Sequence, residues 1–155
     1  MDLGLKGKQA IVCASSQGLG YACALALAQE GCSVFINGRN ADKLAQAAQQ
    51  LQQATGARIT PLQADLNTEA GRSALLAACP APDILVNNNG GPPYRDFREL
   101  DREKILAGVT NNMVTPIELI KAVIDGMAAR VLVRLDVWAR AGVRMCMRMR
   151  ACVRV

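Results

Sequence analysis

The sequence predicts an α/β fold with a doubly wound parallel sheet. Short apolar runs of strand length alternate with longer segments of helical periodicity, an order typical of parallel strands joined by helices. Apolar residues make up 51% of the chain and aromatic residues only 3%, which suits a helix-covered sheet of Val, Ile, Leu and Ala. A length of 155 residues is enough for one domain with a substantial core and short for two.

Four strands and three helices alternate in the first half of the chain. The predicted strands are 9–13, 33–38, 57–64 and 83–87, and the predicted helices are 19–29, 41–55 and about 68–79. Gly56 suits a helix C-cap, and Pro61 is tolerated in a strand that lies near a sheet edge. A long helix over 100–129, kinked at Pro116, follows the fourth strand.

Small or polar residues follow each of the four predicted strands. These groups are Ser15-Ser16, Gly38-Arg39, Asp65 and Asn87-Asn88-Asn89. Ligands of a doubly wound sheet bind at the carboxyl ends of the strands, near the point where the strand order switches. We therefore expect the four groups to meet at one site.

The turn after the first strand has the composition of a phosphate-binding turn. It reads Ser15-Ser16-Gln17-Gly18-Leu19-Gly20 and leads into a helix, whose N–H groups and dipole favour an anion. The plain dinucleotide fingerprint needs a third glycine where Cys23 stands, and an ordinary strand-to-helix turn is the alternative.

The spacing resembles the cofactor signature of the short-chain dehydrogenase/reductase family, which is Thr-Gly, three residues, Gly, one residue, Gly. Cys13-Ala14 stands in place of Thr-Gly here, and Asn87-Asn88-Asn89-Gly90 resembles the family's Asn-Asn-Ala-Gly with Asn89 in place of Ala. The resemblance covers about residues 6–129, and within the family the chain resembles 3-oxoacyl-acyl-carrier-protein reductases. It implies a Rossmann-type, NADP-binding portion over 1–129 of an oxidoreductase that reduces a carbonyl or oxidises an alcohol.

The resemblance also implies which residues bind the dinucleotide. They are Ser15, Ser16, Gln17, Gly18, Leu19, Gly20, Arg39, Asp65, Leu66, Asn87, Asn88, Asn89 and Gly90. Arg39 lies where an arginine binds the 2′-phosphate of NADP and an acid would bind the ribose of NAD, so NADP is expected. A solvated loop arginine at Arg39 and a helix N-cap at Asp65 are the structural alternatives.

Asn112 lies on the predicted apolar face of the long helix. The resemblance implies that it is the remnant of a catalytic tetrad, with the adjacent Asn111 as a one-residue alternative and a structural asparagine as another. The same resemblance implies that the 100–129 helix packs across a subunit interface, so homo-oligomers or aggregation are expected.

The family's catalytic Ser and its Tyr-x-x-x-Lys segment are absent. The last Ser is Ser73, the last Tyr is Tyr94 and the last Lys is Lys121. From residue 130 onward only nine residue types occur, with seven arginines and one acid. We interpret 130–155 as an atypical Arg/Val/Met-rich tail that follows a change of reading frame near residue 130. The chain would then be an enzyme fragment truncated after about the fifth strand, able to bind cofactor without turnover.

Two other interpretations of the tail remain open. Arg140, Arg144 and Arg148 recur every four residues, as in a basic helix for a membrane or nucleic acid, and Val131–Val137 alternates as a fifth strand would. The alternative function is therefore a non-catalytic nucleotide-binding or interaction protein with a basic tail. Sequencing the encoding DNA across codon 130 tests the frame change, because restoring one base there should bring back the missing catalytic motif.

Several classes of site and location are disfavoured. The chain has no histidine, which excludes a Ser-His-Asp triad and histidine-based metal sites, and we expect no metal. We expect no membrane or nucleic-acid partner, because no apolar run approaches roughly 20 residues and the net charge of +5 lies in the tail. Unpaired cysteine spacing and an N-terminus without a signal-peptide layout predict a cytoplasmic protein with reduced thiols.

Overall fold

The computed structural model describes residues 3–90, 96–130 and 134–137. The strands are β1 (Gln9–Val12), β2 (Ser33–Gly38), β3 (Ile59–Gln63), β4 (Ile84–Asn87) and β5 (Arg134–Val137). The helices are α1 (Gly18–Gln29), α2 (Ala41–Thr55), α3 (Glu69–Ala78), α4 (Arg102–Val109) and α5 (Thr115–Ala129). A 3₁₀ turn spans Phe97–Glu99, and a π turn at Thr110–Val114 joins α4 to α5.

All five strands are parallel and form one sheet in the order β3-β2-β1-β4-β5. The chain moves outward from β1 to β3 and then returns to place β4 on the other side of β1. Val12 is therefore in register with both Ile36 and Val86, which places the carboxyl ends of β1, β2 and β4 side by side. The predicted α/β fold with a parallel sheet is confirmed, and Pro61 lies in the edge strand β3 as expected.

Alternating residues of β1, together with Cys13, which follows it, pack in two hydrophobic cores on opposite faces of the sheet. Ala10 and Val12 pack with residues of α1 and α2, whereas Ile11 and Cys13 pack with residues of α3 and α5. This alternation is the two-residue period of a strand that is buried on both faces. Helices on both faces make the sheet doubly wound.

The long helix differs from its prediction in two ways. It begins at Arg102, after the N-cap Asp101, and its irregularity is the π turn, which ends two residues before Pro116. Pro116 itself lies in the first turn of α5, where a missing N–H is tolerated.

The buried face of this helix was also predicted only in part. Thr115, Leu119, Val123 and Met127 are buried, at four-residue intervals. The expected core positions Ile105, Val109 and Met113 are instead between 43% and 52% exposed. The prediction was wrong for α4 and the π turn because only α5 lies over the sheet.

A strand at Arg134–Val137 pairs beside β4 with Ile84 opposite Arg134, which agrees with the fifth-strand interpretation. Residues 131–133 of that predicted strand, and the alternative basic helix at 138–155, lie outside the described residues. Among the residues that the structure describes, no helix has the length and apolarity needed to cross a membrane.

Candidate functional site

A cleft of about 240 Å³ lies where the carboxyl ends of β1, β2, β3 and β4 meet. Its lining comes from four segments of the chain: Ala14, Ser16, Gln17, Gly18, Leu19, Asn37, Gly38, Arg39, Ala64, Asp65, Leu66, Asn88, Asn89 and Gly90. Ten of the thirteen residues expected to bind a dinucleotide are in this lining, and the other three are Ser15, Gly20 and Asn87. Each of the four polar groups that follow the strands therefore contributes at least one residue to the same cleft.

The N-terminus of α1 faces the cleft without a side-chain cap. Gln17 makes no capping hydrogen bond, and the first turn of α1 holds no acidic residue. In contrast, Asn40, Thr68 and Asp101 each cap their helices by accepting a backbone N–H. The first N–H groups of α1 and the positive end of its dipole are thus left for an anion in the cleft.

The two glycines of the turn serve different purposes. Gly18 has a φ of +61°, the left-handed conformation that glycine adopts at little cost. At Gly20, a Cβ would come within 2.4 Å of the Ala14 carbonyl oxygen and 2.8 Å of Asn88 Nδ2. Gly20 is therefore needed for the close packing of the turn against the end of β4, and it does not line the cleft.

Ser15 is fully buried beneath the turn and does not line the cleft. Its hydroxyl donates to the Val12 carbonyl at 2.7 Å and accepts the Asn37 N–H at 3.0 Å. The geometry gives Ser15 a structural role, holding the glycine turn to the end of β2.

Asn37 is a lining residue that the sequence reasoning missed. Its side-chain amide donates to the carbonyls of Leu62 and Ala64 at 3.1 and 3.0 Å, and its Oδ1 accepts the Ala14 N–H at 3.4 Å. The residue is 3% exposed, and its hydrogen bonds connect the end of β2 to the segments that follow β1 and β3. A polar side chain at the end of an otherwise apolar strand is the signal that could have identified it.

Arg39 extends across the mouth of the cleft. Its Nη2 lies 4.0 Å from the position that a Cβ on Gly90 would occupy, so the guanidinium reaches from the end of β2 to the end of β4. Within the described part of the chain it forms no ion pair. Its charge is therefore free to meet an anionic ligand.

The segment after β3 places Asp65 and Leu66 in the cleft wall. Asp65 Oδ1 accepts the N–H of Asn67 at 3.0 Å, and the N-cap of α3 is Thr68, so the N-cap alternative for Asp65 is wrong. Leu66 is 7% exposed, and its carbonyl accepts a hydrogen bond from Arg72 Nη1 at 3.0 Å.

The three asparagines after β4 have separate environments. Asn87 is 2% exposed, lies outside the cleft lining, and its Nδ2 has no hydrogen-bond partner among the described residues. Asn88 donates to the Ala14 carbonyl at 3.1 Å and so joins β4 to the glycine turn. Asn89 donates to the Asn111 carbonyl at 2.8 Å and so joins the cleft to the long helix.

Asn112 does not line the cleft. Its Nδ2 donates to the Gly108 carbonyl of its own helix at 3.0 Å, and Asn111 contributes only its backbone carbonyl to the network around Asn89. This geometry agrees with the alternative that the sequence analysis left open, in which Asn112 is a structural asparagine.

The buried cysteines are not suited to nucleophilic chemistry. Burial raises the pKa of Cys13 to about 12 and that of Cys79 to about 11, and it also raises the pKa of Cys32. A thiol with such a pKa is protonated at neutral pH, and the thiolate is the reactive form. In the described part of the chain, no group of three or more Cys, Asp or Glu side chains is placed to hold a metal ion.

The sequence profile described as short chain dehydrogenase matches residues 8–132, a span that includes β1 to β4, the cleft and the long helix. The chain belongs to the short-chain dehydrogenase family. The predicted family resemblance is confirmed.

Individual proteins with sequence or structural similarity extend the comparison. The oxidoreductase YvaG of Bacillus subtilis is 46% identical over 91 residues, which cover 58% of this chain and 34% of that protein. The L-sorbose reductase of Gluconobacter frateurii, solved with NADPH and L-sorbose, has a TM-score of 0.77 and 31% identity, covering 84% of this chain and 51% of that one. A structure described as a candidate betaketoacyl-ACP reductase has a TM-score of 0.74 and 34% identity, covering 83% and 52%. The chain thus spans about a third of that curated relative and about half of each solved structure.

Proposed function

We propose that this chain is the cofactor-binding portion of an NADP-dependent short-chain oxidoreductase, and that it binds NADP(H) without turning over substrate. Its longer relatives would reduce a small-molecule carbonyl or oxidise an alcohol. The observation that carries the proposal is the cleft, in which an uncapped helix N-terminus and an unpaired arginine face the same space.

The cleft suits the phosphates of a dinucleotide. The N-terminus of α1 would hold the pyrophosphate through backbone N–H groups, and Gly18 leaves room because it has no Cβ. The neighbouring Ser16 and Gln17 also line this part of the cleft. When bound, NADPH supplies the hydride, and the protein's part is to bind and orient it.

Arg39 supports NADP over NAD. Its guanidinium lies at the mouth of the cleft, where it would pair with a 2′-phosphate. A hydrogen bond to a charged group contributes about 1.5–3 kcal/mol, which corresponds to roughly tenfold to a hundredfold in affinity. The Gluconobacter relative was solved with NADPH, which adds support from a homologue.

The absence of turnover rests on the catalytic residues that the sequence lacks. A positioned proton donor or acceptor contributes typically 10²–10⁴-fold, and neither the family's Tyr-x-x-x-Lys segment nor its Ser is present in the chain. No histidine can replace them, and the amide of Asn112 does not transfer a proton at neutral pH.

Fluorescence titration with NADPH and NADH tests the binding. The unmodified chain should prefer NADPH by roughly tenfold or more, and Arg39→Ala should abolish the preference. Arg58→Ala is the matched control. Arg58 is an exposed arginine just before β3, at the amino ends of the strands, whereas the cleft lies at their carboxyl ends. Equal affinities for the two cofactors in the unmodified chain would contradict the proposal.

An assay of ketone-dependent NADPH oxidation tests the second half of the proposal. The rate should stay at background with host reductases excluded. Turnover on the order of one per second, an ordinary enzymatic rate, would show that other residues perform the chemistry.

A non-catalytic interaction role is supported by a different feature. Leu106, Val109, Met113 and Ile117 recur along the α4–α5 helix and are 43% to 52% exposed. Apolar side chains that align on one exposed helix face are typical of an association surface, so we infer homo-oligomers or aggregation through this helix.

A further inference from the structure

The side chain of Asn89 connects the cleft to the long helix. Its Oδ1 accepts the N–H of Gly90 at 2.8 Å, which fixes the turn after β4. Its Nδ2 lies 2.8 Å from the Asn111 carbonyl oxygen and 3.4 Å from Asn67 Oδ1. One side chain therefore contacts three segments that surround or adjoin the cleft.

The Asn111 carbonyl needs a donor from outside its helix. Asn111 lies in the π turn, where a carbonyl pairs with the N–H five residues later, as Thr110 does with Thr115. The residue five positions after Asn111 is Pro116, which has no N–H. The side-chain amide of Asn89 supplies the missing donor.

A second contact strengthens the connection. Thr115 Oγ1 lies 3.4 Å from Asn67 Oδ1, so Asn67 is a shared acceptor for Asn89 and for the first turn of α5. Thr115 is 3% exposed, which keeps this contact away from solvent. We name these four residues, Asn67, Asn89, Asn111 and Thr115, the asparagine bridge.

We propose that Asn89 is a positioning residue that couples cofactor binding to the π turn of the long helix. The inference rests on the proposed function. A dinucleotide in the cleft fixes Asn89 and Gly90, which line it, and the asparagine bridge transmits that order to residues 110–115. Coupling between two sites is reciprocal, so loss of the bridge weakens the cofactor's binding.

The test compares Asn89→Ala with Asp101→Ala. Asn89→Ala introduces the residue of the family pattern, so it is expected to fold. Asp101→Ala removes the N-cap of α4 and loosens the same long helix at a residue that does not line the cleft. Asn89→Ala should raise the Kd for NADPH by about 3- to 10-fold, the loss expected for one hydrogen bond, and Asp101→Ala should leave it unchanged. Saturating NADPH should slow hydrogen exchange at residues 110–115 in the unmodified chain and not in Asn89→Ala.

A third variant isolates the role of the Asn111 carbonyl. Pro116→Ala restores an N–H at that position, so Asn89→Ala should lower the urea midpoint less in the Pro116→Ala background than in the unmodified one. The NADPH affinity should stay weakened in the double variant, because restoring the helix bond does not rebuild the bridge.

The outcomes separate the two proposals. No NADPH binding by the unmodified chain would refute the proposed function and this inference with it. Normal binding with an unchanged Kd in folded Asn89→Ala would refute only the role of Asn89. An equal loss of affinity in Asp101→Ala would show that helix stability, and not the asparagine bridge, sets the affinity, which would also overturn the inference.

Discussion

Replacing Gly20 by alanine should destabilise the protein, although the site lies in a helix. The added Cβ would lie 2.4 Å from the Ala14 carbonyl oxygen and 2.8 Å from Asn88 Nδ2, and one of these two groups is backbone. Overpacking of this kind costs about 1–3 kcal/mol, and loss of the bond from Asn88 to Ala14 adds about 0.5–1.5 kcal/mol. The better helix propensity of alanine offsets about 1 kcal/mol. The net expectation is a loss of about 0.5–3.5 kcal/mol.

Urea denaturation followed by circular dichroism measures this loss, and Gly108→Ala provides the control. Gly108 lies in α4, and a Cβ there meets no atom within 4 Å, so the same substitution should raise the free energy of unfolding by up to about 1 kcal/mol. NADPH affinity should fall with stability in Gly20→Ala, because the distorted turn belongs to the proposed phosphate site. A Gly20→Ala protein as stable as the Gly108→Ala control would refute the packing argument.

Three further predictions concern strain, ionisation and association. Ala14 has a φ of +45°, which costs an L-residue about 1–2 kcal/mol. The greater chain entropy of glycine offsets part of that cost, so Ala14→Gly should raise the free energy of unfolding, measured by urea denaturation, by roughly 0.5–1 kcal/mol. Folding raises the pKa values of Cys13 and Cys79 from 9.0 to about 12 and 11, so above pH 9 the unfolded thiols lose protons that the folded ones keep. The free energy of unfolding should therefore be unaffected by these thiols below pH 9 and fall as the pH rises above it. A flat urea midpoint between pH 8 and pH 10.5 would contradict this. Light scattering at roughly tens of micromolar should detect association that Met113→Lys with Ile117→Lys reduces, and a monodisperse monomer of the unmodified chain would argue against an interface on this helix.

The regular elements could be predicted because their signals are local. The strand at Ser33–Gly38 and the helix at Ala41–Thr55 have the predicted bounds, and Gly56 ends that helix with a φ of +67°. Parallel strands joined by helices then bring the polar residues after each strand to one edge, without any knowledge of side-chain contacts. Periodicity and connection rules were therefore sufficient to predict the location of the cleft.

Which residues line the cleft and which only hold its turn in place could not be predicted, since this depends on packing between distant segments. Ser15 and Gly20 belong to the expected motif, yet they hold the turn in place, while Asn37 lines the cleft and was missed. The prediction of the buried face of the long helix was partly wrong for a related reason. Periodicity shows that a helix has an apolar face, but it does not show which turns lie over the sheet, and Val109 lies beyond it.

The start of α1 explains why a binding site can be recognised from what a helix lacks. Side-chain caps stabilise helix starts by about 0.5–2 kcal/mol, and Asn40 and Thr68 provide them for α2 and α3. Gln17 provides none, and the first turn of α1 has no acid to offset its dipole, so the start of α1 lacks that stabilisation. An aspartate or serine cap would occupy the same N–H groups that a phosphate needs, and an aspartate would also repel it. A side-chain cap and a bound phosphate would require the same N–H donors, so the uncapped glycine turn is the form that the proposed dinucleotide site needs.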